Sequence, residues 1–229
     1  MTAPAPVLVI EHERADPVGR LGRLWARRGL GVDIRRGWAG DPIPVRVDPE
    51  RHSGLVVLGG YMGADDDAEH GWLAATKQLL RAAVSEHTPT LGVCLGHQLL
   101  CSALGGRVGR NPSGRALGLV QVGWLPERRG DPLLGSLGAI SALHYNDDIA
   151  LDLPPGARLL ARSADGAAQA VRFGERAWGV QFHPEVEVET FVAWGEVPED
   201  IATAAYAADA SLHHLAEVIA GRFADLLER

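Results

Sequence analysis

The strongest chemical signal in this sequence is a cysteine between two glycines. Cys94 stands between Gly92 and Gly96, after an apolar run typical of a strand and before a run typical of a helix. This spacing is the thiol form of the nucleophile elbow, a sharp strand-to-helix turn that exposes a reactive side chain. Glycines allow the close backbone approaches of such a turn, and the positive end of the following helix favours a thiolate. The motif therefore predicts a nucleophile that attacks an acyl carbon.

The chain also offers a base for this thiol. His183 and Glu185 flank a proline at the end of an apolar, strand-like run. Residues two apart in an extended segment point to the same side, so the imidazole and the carboxylate share one face. A carboxylate beside an imidazole fixes its tautomer and stabilises its charged form. We interpret Cys94, His183 and Glu185 as nucleophile, base and orienting residue. The alternative, a buried core thiol and a capped strand end, is disfavoured because both motifs occur in one chain.

These motifs resemble those of the class I, triad-type glutamine amidotransferases, and in particular their free-standing GMP-synthase-like branch. The runs 91–98 and 179–185 carry the resemblance, together with the strand-like run and glycine pair at 55–60. It covers nearly the whole chain. The resemblance implies that Cys94 attacks the side-chain carboxamide of glutamine, that ammonia leaves, and that water releases glutamate from a γ-glutamyl thioester.

Backbone N–H groups are predicted to hold the oxyanion of this reaction. Leu95 follows the nucleophile directly, and Gly59 and Gly60 end a strand-like run beside it. The resemblance further implies that Gln98 helps to bind the amino-acid end of the substrate, whereas the plain alternative is a surface helix residue. Tyr61 stands where the family often has a proline. This change affects loop stiffness or substrate access, so Tyr61 is a second candidate substrate contact.

Two further segments leave questions about the rim of the site. Ala116 stands where related chains often have a glutamate, which removes a carboxylate that serves partner contact or substrate preference. The family has a histidine-containing segment near the active-site rim. Either His144 or Asn146 matches that histidine, and the sequence alone leaves both open.

The composition limits the partners and the location. The 229 residues carry a net charge of −7 and no long basic run, so nucleic-acid binding is not expected. No apolar stretch approaches a membrane span, and residues 1–6 lack the pattern of a secretion signal. Cys94 and Cys101 are two helical turns apart, too far for a disulfide. We therefore predict a cytoplasmic protein in a reducing compartment.

The sequence predicts neither a cofactor nor a metal. It has no P-loop and no dinucleotide-binding glycine motif. The acidic residues 65–67 match no familiar ligand loop and are interpreted as a solvated turn. His213 and His214 are adjacent on a predicted helix and point in different directions, which makes them poor joint ligands. The thiol itself supplies the covalent chemistry.

Two uses of the same chemistry stay open. A glutaminase would pass ammonia to an ATP-dependent synthetase, which must be a separate chain because no P-loop is present. A free-standing hydrolase would instead cleave γ-glutamyl bonds in small peptides or conjugates. A third and less favoured interpretation is a binding protein with a silent thiol. The complete set of Cys94, His183 and Glu185 argues against it.

The order of apolar segments predicts one α/β domain over residues 1–229. Its three layers would be a mostly parallel, flavodoxin-like sheet with helices on both sides. Buried strand-like runs lie at 7–10, 32–35, 55–58, 90–93 and 177–182, and helix-like runs at 19–28, 72–84 and 98–104. Residues 105–176 are rich in glycine, proline and short alternating segments, which predicts a small antiparallel edge. From 186 onward the chain is mostly helical. Within the Ala- and Leu-rich stretch 202–227, an apolar stripe is formed by Leu212, Leu215, Ile219, Phe223, Leu226 and Leu227.

Overall fold

The computed structural model of the chain describes residues 4–195 and 197–228. The parallel strands and their helices are β1 (Val7–Glu11), α1 (Gly19–Arg27), β2 (Val32–Arg36), β3 (Gly54–Val57), α2 (Trp72–Ser85), β4 (Thr90–Val93) and α3 (Leu95–Ala103). The middle of the chain forms β5 (Arg107–Arg110), β6 (Ala116–Trp124), β7 (Ile140–Asn146), β8 (Asp148–Asp152), β9 (Arg158–Arg162) and β10 (Ala168–Gly174). The rest is β11 (Ala177–Val180), α4 (Val188–Ala193), α5 (Glu199–Ala207) and α6 (Asp209–Leu227).

The main sheet has nine strands in the order β2-β1-β3-β4-β11-β10-β9-β6-β7. The first five are parallel, and the last four extend the sheet in antiparallel pairs. Strands β5 and β8 form a separate antiparallel ribbon. The α/β class, the parallel sheet and the antiparallel edge are confirmed, while the single domain over 1–229 stays a prediction.

Parallel pairing places the candidate site at one edge of the sheet. The carboxyl ends of β1, β3, β4 and β11 lie at the same edge, because neighbouring parallel strands run in the same direction. The loops that leave this edge carry the glycine pair after β3, Cys94 after β4 and His183 after β11. Residues far apart in the chain therefore meet.

Helices cover both faces of the parallel strands. In β1, Val7 and Val9 pack in a core that contains Trp25 of α1 and Phe223 of α6. Leu8 packs on the opposite face, in a core with the apolar side chains of α2 and α3. This alternation buries β1 on both sides, as expected for a central parallel strand.

The C-terminal apolar stripe, from Leu212 to Leu227, lies on α6. The structure interrupts the predicted helical stretch at Ala208, between α5 and α6. Leu215, Ile219 and Phe223 of α6 are fully buried against the sheet. A smaller core over the antiparallel strands contains Leu212 and residues of α4 and α5. In the described residues no helix is long and apolar enough to cross a bilayer.

Two glycines allow α3 to begin directly against the sheet. The Gly96 N–H donates to the Leu58 carbonyl at 3.1 Å, and a Cβ at Gly96 would lie 2.0 Å from the Val57 oxygen. A Cβ at Gly92 would lie 2.5 Å from the Gly96 oxygen. Neither position has room for a side chain, because the atoms in the way belong to fixed backbone. Both glycines of the cysteine motif are therefore required by close packing.

We expect Gly96→Ala to destabilise the protein by about 3 kcal/mol, the upper part of the usual range for overpacking. The reason is that the Val57 carbonyl belongs to a buried strand and cannot move away. The matched control is Gly71→Ala: Gly71 precedes α2 with φ −55°, and no atom lies within 4 Å of its Cβ position. It should cost about 1 kcal/mol or less. Urea unfolding of both variants measures the difference, and equal losses would contradict the close contact.

Candidate active site

Cys94 occupies the strained turn between β4 and α3. Its backbone has φ 49° and ψ −105°, in the left-handed half of the map that costs a non-glycine residue about 1–3 kcal/mol. Two hydrogen bonds hold this conformation. The Cys94 N–H donates to the Val180 carbonyl at 2.8 Å, and the Gln98 N–H donates to the Cys94 carbonyl at 3.1 Å. The side chain is 5% exposed and lines a cleft. A strained residue held at a cleft is typical of a nucleophile elbow.

His183 and Glu185 form a buried pair beside the nucleophile. The imidazole Nδ1 donates to Oε1 of Glu185 at 2.7 Å. The backbone N–H of His183 donates to the Leu143 carbonyl at 2.9 Å, which anchors the ring. Within the described residues the opposite nitrogen, Nε2, has no hydrogen-bond partner at normal distance, and the ring interacts with the Cys94 sulfur. The structure thus brings together the three residues that the sequence selected.

The charges around His183 favour its protonated form. Burial lowers the pKa of His183, but the Cys94 sulfur and the carboxylates of Asp16 and Glu13 together outweigh burial, so the pKa is raised. A cation beside a sulfur that becomes an anion suits an imidazolium–thiolate pair.

A glutamine that the sequence analysis did not single out also contacts the nucleophile. The Gln181 Nε2 donates to the Cys94 sulfur at 3.6 Å. The Gln98 Nε2 in turn donates to the Gln181 Oε1 at 3.3 Å and to the Asp148 carbonyl at 2.8 Å. Gln181 directly follows β11 at the sheet edge where the site forms, and this position is the signal that could have found it. Gln98 lines the cleft, and its contact with a substrate stays a prediction.

The predicted oxyanion donors surround the nucleophile. Leu95 is the first residue of α3, where N–H groups have no intrahelical partner. Gly60 lines the cleft, and a Cβ there would lie 3.2 Å from the Leu95 Cδ2. Gly59 lies deeper, where a Cβ would be 2.9 Å from the His183 Cε1 and 2.2 Å from the Asp16 Oδ2. The glycine pair therefore packs between the elbow and the histidine, and its oxyanion role stays a prediction.

The loop between β1 and α1 brings two further acids that the sequence analysis missed. Asp16 is 1% exposed, and its Oδ2 lies 4.0 Å from the His183 Nδ1. Glu13 lines the cleft; burial raises the pKa of Glu13 more than the Tyr61 N–H and His183 lower it. Their position in the sequence could have identified them, because this loop follows a central parallel strand at the edge where the site forms.

The two buried carboxyls next to His183 form one cluster. Burial raises the pKa of Glu185 to about 8, and hydrogen bonds from its own N–H and from Asp16 oppose the rise. Donor atoms of Asp16, His183 and Glu185 lie within 4.8 Å of one another, which is close enough for a metal ion. However, the His183 Nδ1 already donates to Glu185. We therefore interpret the cluster as hydrogen-bonded and assign it no metal.

The site opens into a cleft of about 680 Å³, within the usual range for small-molecule sites. Arg110 and Arg115 line it and pair with Asp147 at 3.0 Å and 2.9 Å. The Trp194 ring packs edge-on against the His183 ring, with 5.0 Å between the two ring centroids. The cleft thus has a buried floor, formed by Cys94 and His183, and a charged rim that includes Arg110, Arg115 and Asp147. Its volume has room for more than one amino acid.

The structure distinguishes His144 from Asn146, the two candidate rim residues that the sequence left open. His144 is buried and hydrogen-bonds to the Ala142 carbonyl and the Gln169 side chain, so it faces the interior. Asn146 lines the cleft, and its buried Oδ1 has no hydrogen-bond partner in the described residues. Tyr61 is 73% exposed and also lines the cleft. A ligand can therefore reach Asn146 and Tyr61.

Cys101 lies in a different environment from Cys94. It is fully buried on α3, and its Sγ donates to the Asp152 carbonyl at 3.3 Å. Burial, with added effects of Asp152 and Asp65, raises the pKa of the Cys101 thiol to about 11. Both cysteines are free. Cys101 is therefore a core residue of α3.

Comparison with known protein families agrees with this geometry. A sequence model described as glutamine amidotransferase class-I matches residues 26–192. The chain therefore belongs to the class I glutamine amidotransferase family, whose relatives include glutamine-hydrolysing enzymes.

Individual relatives differ in their named activities. A glutamine-hydrolysing GMP synthase subunit of Thermococcus kodakarensis is 38% identical over 111 residues, 46% of this chain and 57% of that protein. Gamma-glutamyl peptidase 5 of Arabidopsis thaliana is 30% identical over 151 residues, 64% of this chain and 59% of that protein. The matched segments thus span less than two thirds of either relative's length.

Solved structures match over nearly the whole chain. A glutamine amido transferase from Methylobacillus flagellatus has a TM-score of 0.85 and 26% identity, and covers 99% of this chain and 96% of that one. A glutamine amidotransferase from Thermotoga maritima has a TM-score of 0.87 at 24% identity, with both chains fully covered. At this level of identity, the match to the Thermotoga maritima structure supports the fold alone.

The raised pKa of Glu185 predicts a pH dependence of stability. An acid with a higher pKa in the folded state binds more protons when folded, so stability falls as pH rises from about 4.5 to about 8. Between about pH 5 and about pH 8.5, wild type should therefore lose more stability than Glu185→Gln, by about 1 kcal/mol or more. Urea unfolding at both pH values measures the loss.

The control for this prediction is Glu189→Gln, because Glu189 is exposed at the start of α4. This variant should lose as much stability as wild type. Equal losses in wild type and Glu185→Gln would show that Glu185 ionises as it does in the unfolded chain.

Proposed function

We propose that this protein is a glutaminase-type amidohydrolase that releases ammonia from the glutamine side chain. The single observation that supports this most is the position of Cys94, at a strained helix start beside the buried His183–Glu185 pair. In this mechanism the Cys94 thiolate attacks the carboxamide carbon. N–H groups of Leu95 and the Gly59–Gly60 loop stabilise the resulting oxyanion.

Proton transfer by His183 completes each half of the proposed reaction. The imidazolium gives a proton to the leaving nitrogen, since an amide anion would leave far too slowly, and ammonia departs. A γ-glutamyl thioester remains on Cys94. His183 then takes a proton from water, which attacks the thioester and releases glutamate. Glu185 keeps the Nδ1 proton in place throughout, and the 2.7 Å hydrogen bond supports this role.

The amino-acid end of glutamine would bind at the rim of the cleft. Glu13 offers a carboxylate and Asn146 an amide side chain at the wall of the cleft, which suit the α-ammonium group. Gln98 and Tyr61 are the substrate contacts that the sequence selected, and both line the cleft. This placement puts the carboxamide at the buried floor and the charged groups of glutamine near solvent.

The released ammonia would be used by a separate ATP-dependent synthetase. Three of the relatives are themselves single subunits of a glutamine-hydrolysing GMP synthase, which supports a partnered role. Such an enzyme must keep its thiol reduced, and the two free cysteines support a cytoplasmic location. We propose no nucleic-acid or membrane partner.

The size of the cleft favours a second candidate function. A volume of about 680 Å³ accommodates a γ-glutamyl peptide or conjugate as well as free glutamine. The relative named gamma-glutamyl peptidase 5 supports this alternative. The same three residues would cleave the γ-glutamyl bond, with an amine or peptide leaving in place of ammonia.

Substrate comparison distinguishes these candidates. We expect purified protein to hydrolyse glutamine, with Cys94→Ala at least about 10⁴-fold slower because no thioester can form. Glutamate release would be measured with glutamine, γ-glutamyl-alanine and the isomeric α-glutamyl-alanine as negative control. Faster turnover of γ-glutamyl-alanine than of glutamine would favour the second function. Equal turnover by wild type and Cys94→Ala would disprove the mechanism.

Labelling tests the identity of the nucleophile without a substrate. A glutamine-like chloroketone should alkylate Cys94 and not Cys101, because Cys101 is fully buried and its raised pKa keeps it protonated. Peptide mass spectrometry reads the labelled site. Cys101→Ser is the matched control and should be labelled like wild type. Label on Cys101 in wild type would contradict the assignment.

A further inference from the structure

Asp16 is buried against the catalytic pair, although the proposed reaction assigns it no step. Its Oδ2 lies 4.0 Å from the His183 Nδ1, too far for a hydrogen bond to the ring. The same oxygen would be 2.2 Å from a Cβ at Gly59, so the glycine leaves room for the carboxyl. Among the described residues, no arginine or lysine pairs with Asp16. The carboxyl therefore fills the space between the glycine loop and the pair.

The hydrogen bonds around this carboxyl leave three oxygens without an ordinary donor. Within the described residues, Oδ1 and Oδ2 of Asp16 and Oε2 of Glu185 are all buried without a donor from another group. The remaining oxygen, Oε1 of Glu185, accepts from His183. Two buried carboxylates side by side repel each other, so at least one of them keeps a proton. That proton is the donor that joins the two groups.

The loop that carries Asp16 is held by its backbone. The Arg20 N–H donates to the Glu185 carbonyl at 2.7 Å, and the Trp194 Nε1 donates to the Ala15 carbonyl at 2.8 Å. Gly19 has φ 43°, and a Cβ there would be 2.3 Å from the Glu185 oxygen. The loop is thus anchored to the segment that carries Glu185 without using the Asp16 carboxyl, which is free to act on Glu185.

We propose that Asp16 is a positioning residue of this site: its protonated carboxyl donates a hydrogen bond to Oε2 of Glu185 and so keeps Oε1 directed at His183. The inference deepens the proposed function and rests on it. The Asp16 proton stays in place during the reaction, and no bond to substrate forms at this residue.

The electrostatics place the proton on Asp16. Burial and the charge of Glu185 raise the pKa of Asp16 well above its usual value, with Glu13 adding to the rise and His183 opposing it. The hydrogen bond between the two carboxyls lowers the pKa of Glu185 and raises that of Asp16. These groups and the Cys94 sulfur are the charges that face the pair. At high pH the loss of this proton would leave two adjacent anions and disturb the orientation of Glu185.

Two substitutions separate positioning from packing. Asp16→Asn keeps the shape and an N–H donor for Glu185, whereas Asp16→Ala removes the donor. Asp225→Asn is the control, since Asp225 is exposed and pairs with Arg28 at the surface, far from His183 in the part of the chain that the structure describes. The first readout is the alkylation rate of Cys94 by iodoacetamide across pH, read by peptide mass spectrometry. The second is turnover of glutamine and γ-glutamyl-alanine per alkylatable Cys94.

We expect the wild-type rates to decline at high pH, where Asp16 loses its proton. Asp16→Asn should stay within about 3-fold of wild type at neutral pH and should not show this decline, because an amide has no proton to lose. Asp16→Ala should slow both readouts by about 10-fold to 100-fold, since a misplacement of about 1 Å costs up to about 100-fold. Wild-type rates in Asp16→Ala, or an Asn variant as slow as the Ala variant, would overturn the proposal. If Asp16→Ala does not fold, the pH profile of Asp16→Asn decides alone: an unchanged high-pH decline overturns the proposal, and its loss supports it.

The alkylation readout keeps this test separate from the proposed function. If the alkylation profiles are as expected but no γ-glutamyl compound is turned over, Asp16 is supported as a positioning residue and the hydrolase activity is refuted. Normal turnover with identical profiles in wild type and both Asp16 variants would refute the positioning role alone.

Discussion

The site depends on one close contact, between the start of α3 and the end of β3. The Gly96 N–H bonds to the Leu58 carbonyl at 3.1 Å, and the backbones approach so closely that a Cβ would lie 2.0 Å from the Val57 oxygen. This contact holds the helix start on the sheet edge and forces Cys94 into its left-handed conformation. The N–H groups at that helix start then lie at the nucleophile, where they favour negative charge.

A second constraint is the cluster of acidic groups behind His183. Asp16 and Glu13 come from the loop after β1, while Glu185 follows the histidine by two residues. Buried acids are costly when isolated, but here they stabilise a cation that the chemistry requires. The thiol and the carboxyls thus lie on opposite sides of one imidazole, and the charge of each group depends on the others.

The floor of the cleft and its rim come from different parts of the fold. The floor lies at the carboxyl edge of the parallel strands, which the family shares as a scaffold. The rim is contributed by the antiparallel middle of the chain, where Asn146 and the Arg115–Asp147 pair lie, and by Trp194. Variation in the rim can therefore change the ligand that is accepted without altering the floor.

Local patterns in the sequence determined the class of fold and selected the candidate nucleophile and base. Turn geometry requires glycines on both sides of Cys94, and the close spacing of His183 and Glu185 after a buried strand indicated a pair. Both signals act over a few residues. The pair forms although β11 ends at Val180 and the chain bends between Gln181 and Glu185. Only the tertiary structure decided that Asp16 and Gln181 join the site and that His144, unlike Asn146, faces the interior. Those outcomes depend on strand order and on contacts between residues far apart in the chain, which no local pattern encodes.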